Sequence, residues 1–171
     1  MLSSSTRQHL EQLSTVLALV ACRPEYLRTV REEDSSLALC GIVPLINAGS
    51  EGIALSACQE ALRFLKGVAL AEGILIEGSD GLLDVTGKGL GHNGSRNLIH
   101  SIAWIYGRLG PIYHVMYDIR ASLACLQQSQ HLDLRLCDVG DSRASLAGIM
   151  SNLGLVYIDA GQPLQALGVL R

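Results

Sequence analysis

A thirteen-residue stretch occurs twice in the chain, and the second copy begins 44 residues after the first (145 − 101 = 44). The copies read SIAWIYGRLGPIY from Ser101 and SLAGIMSNLGLVY from Ser145, with six identical positions. Repeats of this length are typical of stacked helical hairpins, because each hairpin buries its apolar face only against its neighbours. The sequence therefore predicts an all-α fold, an α-solenoid of stacked antiparallel helical hairpins, in a single domain of residues 1–171.

The composition favours helices and argues against several classes of partner. Apolar residues make up 49% of the chain and charged residues 17%, which is unlike a disordered protein. Aromatic residues are only 4% of the chain, fewer than a β-sandwich or barrel would need. The net charge of −3 argues against a nucleic-acid partner, and no apolar run is long enough for a membrane span. We expect neither nucleic acid nor membrane as a partner.

Five cysteines are spread along the chain, an odd number with no CxxC pair. This usage is typical of a reducing, cytoplasmic compartment, where thiols act as small core residues. The spacing of the cysteines and of the five histidines lacks the tight clusters that metal ligands require. We predict no metal and no cofactor.

Local patterns divide the chain into four parts. Residues 1–50 are predicted to form irregular or armadillo-like helices, and residues 51–94 a weak repeat with a glycine-rich loop. Residues 95–140 form one predicted repeat, and residues 141–171 an incomplete one. Within the second part, the apolar pattern predicts a long helix from Glu51 that ends near Gly73, followed over 78–95 by a brief helix and then a loop.

The helix boundaries in the two repeats follow from local signals. Ser95 caps a helix predicted to run to about Leu109 or slightly beyond, and its partner runs from about Ile112 through Gln128. Residues 131–139 alternate apolar and charged residues, which taken alone is a strand pattern. Since a lone strand has nothing to pair with in a helical array, we favour a continued helix or an extended connector there. A helix restarts at 140–142, Gly161 ends it near Ala160, and Pro163 opens the last helix.

The duplicated stretch resembles a known repeat family. Leu109-Gly110-x-x-Tyr113 and Leu153-Gly154-x-x-Tyr157 are similar to the first helix of a tetratricopeptide repeat, over about residues 95–171. The second copy is fuller, with a turn glycine at 161, an alanine at 166 and a leucine at 170. The first copy departs from the family pattern, most notably at Tyr117, which replaces the turn glycine, and at Ser129, which replaces an alanine.

An armadillo-type array is the competing resemblance, chiefly over residues 35–110. The segments CGIVPLINAG and SACQEALRFLKGVA together resemble one such repeat. Both families are right-handed superhelices of helical hairpins, so the implied fold class is the same.

The resemblance implies a protein-interaction scaffold, in which the first helix of each hairpin lines a concave surface that binds a peptide or partner protein. It places six residues on this surface, which are Trp104, Arg108, His114, Asn152, Ile158 and Asp159. Trp and Arg often dominate interface energetics, although filling the core between helices explains Trp104 equally well. No chemistry is implied, and we predict that the chain is not an enzyme.

Two alternative functions follow from other segments. The last predicted helix carries leucines at 164, 167 and 170 with no polar helix after it, and solenoids need a polar terminal cap. This favours an architectural subunit that continues or self-associates through its end. Separately, Gly89-x-Gly91-x-x-Gly94 fits the formula of a dinucleotide-binding loop. No convincing strand precedes it and no acidic residue follows at the ribose distance, which favours a connector over a nucleotide binder or small enzyme.

Overall fold

The computed structural model of the chain describes residues 51–79, 81–91, 93–137 and 143–171. Most of these residues are helical, which confirms the predicted helical class. The predictions for residues 1–50, including the first part of the armadillo-like segment over 35–110, lie outside the described residues. In chain order the elements are α1 (Glu51–Ala71), β1 (Leu75–Glu77), β2 (Leu83–Val85), α2 (Gly87–Gly91), α3 (Asn93–Val115), α4 (Ile119–Cys137), α5 (Arg143–Asp159) and α6 (Pro163–Val169).

Helix α1 ends where the sequence predicts. Gly73 has a φ of +64°, a left-handed conformation that costs glycine little because it lacks Cβ. Its N–H donates to the carbonyl of Leu70 (3.0 Å), and the N–H of Ile74 donates to that of Ala69 (2.8 Å). This pair of bonds is a Schellman motif, which pairs carbonyls that the last turn leaves without helical donors.

An antiparallel hairpin follows α1, so the predicted brief helix and loop over 78–95 is wrong in both parts. Strand β2 replaces the brief helix, and α2 and the start of α3 replace the loop. Strands β1 and β2 pair with Ile76 opposite Asp84. Leu75, Leu83 and Val85 are buried in the core, so three apolar side chains hold the short strands against the helices. The short helix α2 then leads into α3, and the strands formed because tertiary burial outweighed a weak local signal.

Gln128 of α4 anchors the hairpin through a buried carboxamide. The N–H of Leu83 donates to Gln128 Oε1 (2.8 Å), and Gln128 Nε2 donates to the carbonyl of Leu83 (3.0 Å). The side chain thus satisfies two buried backbone groups that a two-stranded sheet would leave unpaired on that edge.

Helices α3 and α4 form an antiparallel hairpin whose predicted turn is in the wrong place. Helix α3 continues through Pro111 to Val115, and the turn is at 116–118. Pro111 removes one helical hydrogen bond, but Leu109 and Ile112 on either side of it are buried against α1, and the helix continues through the proline. Helix α4 runs to Cys137, which confirms the favoured continued helix over the alternating segment as far as the description extends.

The helices pack in the order in which they occur along the chain. Helix α3 lies against α1 and α4, and α5 lies against α4 and α6 with a smaller contact to α3. The buried side chains form three clusters: one beneath the β-hairpin, one between α1 and α3, and one between α4 and α5. Each cluster is thus shared by neighbouring elements.

A close approach within each hairpin occurs at a glycine of the duplicated motif. A Cβ added to Gly110 would lie 2.4 Å from Cγ of Leu126, and one added to Gly154 would lie 3.0 Å from Cγ of Leu170. Both the glycines and the leucines are 44 residues apart. In the first hairpin, the buried Ser122 hydroxyl also donates to the carbonyl of Gly110 (2.8 Å). The same glycine–leucine contact therefore joins α3 to α4 and α5 to α6.

The turns that end α3 and α5 are also alike, although one has tyrosine where the other has glycine. The N–H of Tyr117 donates to the carbonyl of His114, and the N–H of Asp118 donates to the carbonyl of Tyr113. The same two Schellman hydrogen bonds, made by Gly161 and the residue after it, occur 44 residues later. Gly161 has a φ of +71° and Tyr117 a φ of +60°. The turn is therefore retained in the first copy despite the cost of a left-handed residue with a side chain.

We predict that Gly110→Ala destabilises the protein by about 1–3 kcal/mol, because its new Cβ overlaps a fully buried leucine that cannot move away. The control is Gly67→Ala, since Gly67 is exposed in the interior of α1 with open space around it. That change should stabilise by about 0.5–1 kcal/mol through helix propensity. Urea unfolding followed by circular dichroism measures both, and equal effects would contradict the close approach.

We also predict that Tyr117→Gly stabilises the protein by about 1 kcal/mol, because glycine removes the left-handed strain. The Tyr117 side chain is 90% exposed, so its loss removes little packing. The reciprocal change, Gly161→Ala, should destabilise by a similar amount. Unfolding free energies of both variants test the prediction, and a destabilised Tyr117→Gly protein would show that the tyrosine makes a stabilising contact.

Candidate interaction surface

Trp104 and Arg108 lie one turn apart on α3 and form a stacked pair. The Cζ atom of Arg108 is 4.9 Å from the centroid of the Trp104 ring, within the range of a cation–π interaction. Trp104 is half-buried and packs on the cluster between α1 and α3, whereas Arg108 is exposed. The indole is thus fixed by packing on one side, and it holds a cation at the surface on the other.

Buried thiols beneath this pair are not activated. Burial raises the pKa of Cys58 to about 12, although the nearby charge of Arg108 acts in the opposite direction. Burial likewise raises the pKa of Cys125 to about 11. A thiol with a raised pKa is a poor nucleophile at neutral pH, because the thiolate is the reactive form. These two cysteines therefore act as packing residues.

His114 and Asp159 connect the C-terminal ends of α3 and α5. Nε2 of His114 lies 2.7 Å from Oδ2 of Asp159, a hydrogen bond between two partly exposed side chains. Each residue lies just before the left-handed turn of its own helix. The pair therefore ties the ends of the first helices of the two hairpins together.

The two tyrosines of the duplicated motif make matching contacts to a preceding helix. Gln59 Nε2 of α1 donates to the hydroxyl of Tyr113 (2.7 Å), and Gln127 Nε2 of α4 donates to that of Tyr157 (2.8 Å). Sequence analysis missed both glutamines because they are 68 residues apart (127 − 59 = 68), and not 44. A search for a glutamine in an earlier helix, ahead of each copy of the motif, would have found both residues.

Asn152 and Ile158 belong to α5 and lie outside the two contacting pairs. Asn152 is half-buried at the position equivalent to Arg108, and Ile158 is exposed at the position equivalent to His114. The equivalent of Trp104 is Gly148. The second hairpin therefore lacks a counterpart of the Trp–Arg pair. Of the six predicted residues, four form the Trp104–Arg108 and His114–Asp159 pairs, and the other two make neither contact.

A second polar cluster, which sequence analysis did not single out, joins the β-hairpin to α4. Oδ1 of Asp84 lies 3.3 Å from Nε2 of His131 and 3.1 Å from Nε of Arg135. The contact with Arg135 is an ion pair without a hydrogen bond, because the Nε–H does not point at the oxygen. The N–H of Val85 donates to the same carboxylate and is the main cause of its lowered pKa, with smaller contributions from His131 and Arg135. This cluster reinforces the anchor made by Gln128.

The glycine-rich loop has a structural explanation. Strand β2 precedes it, so the expectation that no strand does is wrong. A Cβ on Gly89 would lie 2.7 Å from the carbonyl oxygen of Ile74 and 2.9 Å from a methyl of Val85. Gly89 is therefore required for α2 to pack on the hairpin, independently of any ligand. His92, which is part of this loop, lies outside the described residues.

Comparisons with protein-family models, with curated protein sequences and with solved structures returned no match. Within the described ranges, no helix has both the length and the apolar character needed to cross a membrane. No group of three or more histidine, cysteine, aspartate or glutamate side chains in the same ranges is arranged to hold a metal ion.

We predict that His114 and Asp159 are energetically coupled by about 0.2–1 kcal/mol, the range of partly exposed polar pairs. The test is a double-mutant cycle of His114→Ala and Asp159→Ala in urea unfolding. A control cycle of His114→Ala with Glu60→Ala, on the exposed face of α1, should be additive. Additivity in the first cycle would show that the contact adds no stability.

Proposed function

We propose that the chain is a segment of an α-solenoid of the tetratricopeptide-like type that acts as a protein-interaction scaffold. Three observations support this proposal. The helices pack in chain order, the glycine–leucine contact recurs after 44 residues, and the same turn ends α3 and α5. Arrays of this kind present extended surfaces, since each unit contacts only its neighbours.

The Trp104–Arg108 pair carries the proposal that a peptide or partner protein binds to the concave face. A half-buried indole with an exposed guanidinium above it combines a rigid aromatic anchor with a charged donor, and both residue types are enriched at binding hot spots. The guanidinium would bind a carboxylate of the partner, and the Asn152 amide, at the equivalent position of the next helix, would bind its backbone. A short acidic segment in extended conformation suits these groups.

We further propose that the chain works in a reducing, cytoplasmic compartment and has no enzymatic activity. Cys58 and Cys125 are free thiols, and burial raises the pKa of both. The packing of Gly89 against the hairpin accounts for one glycine of the glycine-rich loop without a nucleotide and supports this proposal.

An architectural role within a larger assembly is the second candidate function. Its support is the apolar face of α6, where Leu164 is 81% exposed and Leu167 and Leu170 are about half exposed. A helix face of this kind gains free energy when another element covers it. The scaffold proposal requires the Trp104–Arg108 pair for partner binding, whereas the architectural role requires the apolar face of α6.

The Arg108→Glu variant distinguishes them. We expect affinity purification of the full chain, with quantitative mass spectrometry, to recover partners that Arg108→Glu reduces at least tenfold, because the reversed charge repels an acidic ligand. The control is Arg120→Glu, an equally exposed arginine in the first turn of α4, where an acidic residue is tolerated. Partners unaffected by Arg108→Glu would favour the architectural role.

A further inference from the structure

Helix α3 begins with an asparagine that is followed by a glycine. The chain has four asparagines, at positions 47, 93, 97 and 152, and Asn93 is the one that precedes a glycine, Gly94. Asn93 is exposed, and it lies eleven residues (104 − 93 = 11), or about 16 Å along the helix, from Trp104. The chemistry of this position is therefore separate from the Trp104–Arg108 pair.

An asparagine side chain can react with the backbone of the residue after it. The backbone nitrogen of that residue attacks Cγ of the asparagine, and the side-chain nitrogen leaves as ammonia together with the proton of the attacking N–H. The product is a succinimide ring. One water molecule then opens the ring at either carbonyl and leaves aspartate or isoaspartate. Asparagine and water thus give an acid and ammonia, without oxidation or reduction.

The residue after the asparagine decides how readily the ring closes. Gly94 has no Cβ to crowd the attacking nitrogen, and its backbone can adopt conformations that other residues avoid. Asn97 and Asn152 instead precede leucines, Leu98 and Leu153, which are buried in the core. Each leucine side chain both crowds its own backbone nitrogen and holds it in place by packing. The sequence and the burial pattern therefore single out Asn93.

Ring closure also requires the asparagine backbone to leave its helical conformation, which holds the following nitrogen away from Cγ. Helix ends open more readily than helix centres, and Asn93 is the first residue of α3. Glycines at 91 and 94 weaken the helical conformation around it further. Asn97 lies deeper in α3, where its carbonyl accepts the Ser101 hydroxyl (2.9 Å).

Arg96 restrains the start of α3. Its Nε–H donates to the carbonyl of Leu90 (2.9 Å), which joins the first turn of α3 to α2. Helix α2 is itself fixed on the β-hairpin by the close packing of Gly89. The bond from Arg96 therefore opposes the backbone movement that ring closure at Asn93 requires.

We propose that Asn93 is a site of spontaneous deamidation through the backbone nitrogen of Gly94, and that the bond from Arg96 to Leu90 limits the rate. The aspartate product adds a negative charge to a first turn that has no acidic residue, which the helix dipole favours. The isoaspartate product adds a carbon atom to the main chain and disturbs the regular helical spacing there. The two products therefore have opposite effects on the start of α3.

Peptide mass spectrometry after incubation of the full chain tests the proposal. The buffer is mildly alkaline and is made with water labelled with heavy oxygen, which marks the acids formed during incubation. We expect Asn93 to convert at least about tenfold faster than Asn97 and Asn152, because helix interiors open rarely. Equal conversion at the three asparagines, or no conversion at Asn93, would overturn the proposal.

Two variants test the route and its restraint. Gly94→Ala should slow the conversion of Asn93 at least about tenfold, since the new Cβ crowds the nitrogen and favours the helix. Arg96→Ala should speed it about two- to tenfold, the effect of losing one hydrogen bond. The control is Arg120→Ala, at an arginine in the first turn of α4, which should leave the rate unchanged.

A rate that Gly94→Ala does not change would exclude attack by that nitrogen, and a rate that Arg96→Ala does not raise would exclude the restraint. No partner protein takes part in these measurements, so their outcome is independent of the proposed function.

Discussion

The close approach of backbone to leucine at Gly110 sets the geometry of the described structure. With no Cβ at this position, Leu126 lies directly on the α3 backbone, and the Ser122 hydroxyl reaches the carbonyl of Gly110. Interhelical distance depends on the side chains at the contact, so a glycine there brings the axes close together. Because α5 packs on both α3 and α4, this contact also shapes the surface on which the next hairpin lies.

Polar contacts fix the relative positions of the helices, which apolar packing alone would leave loosely specified. The tyrosine hydroxyls of the duplicated motif each accept a bond from a glutamine on the preceding helix, and the bond between His114 and Asp159 connects the ends of α3 and α5. Such bonds add modest stability but have strict geometric requirements. The apolar clusters supply most of the stabilisation, and the polar contacts select one alignment of the helices.

Structural features could be predicted from the sequence where neighbouring residues or the duplicated motif determine them. Gly73 and Gly161 were recognised as helix ends because a left-handed turn favours glycine. The stacking of Arg108 on Trp104 follows from their spacing of four residues on one helix. The turn at Tyr117 was misplaced because the helix was predicted to end near Leu109, whereas Leu109 and Ile112 both pack against α1, a helix distant in sequence, and α3 continues past them.

Contacts between distant segments escaped prediction for a different reason. The β-hairpin depends on the carboxamide of Gln128, which lies 45 residues from its partner Leu83 and is in no way distinctive in sequence. The bond between His114 and Asp159 involves residues with different counterparts in the two copies, so the repeat gave no indication of it. Only the folded arrangement brings these groups within reach of each other.

The β-hairpin also shows where this architecture tolerates extra chain. Gln59 and Gln127 make the same contact to the two tyrosines of the duplicated motif, yet the distance between the glutamines in sequence is 24 residues longer than the 44-residue period (68 − 44 = 24). The added length forms the β-hairpin and α2, whose apolar side chains pack into the core, and the glutamine–tyrosine contact recurs on both sides of it. The contact between two helices is therefore independent of the length of chain that joins them, provided that the added residues bury their own apolar side chains.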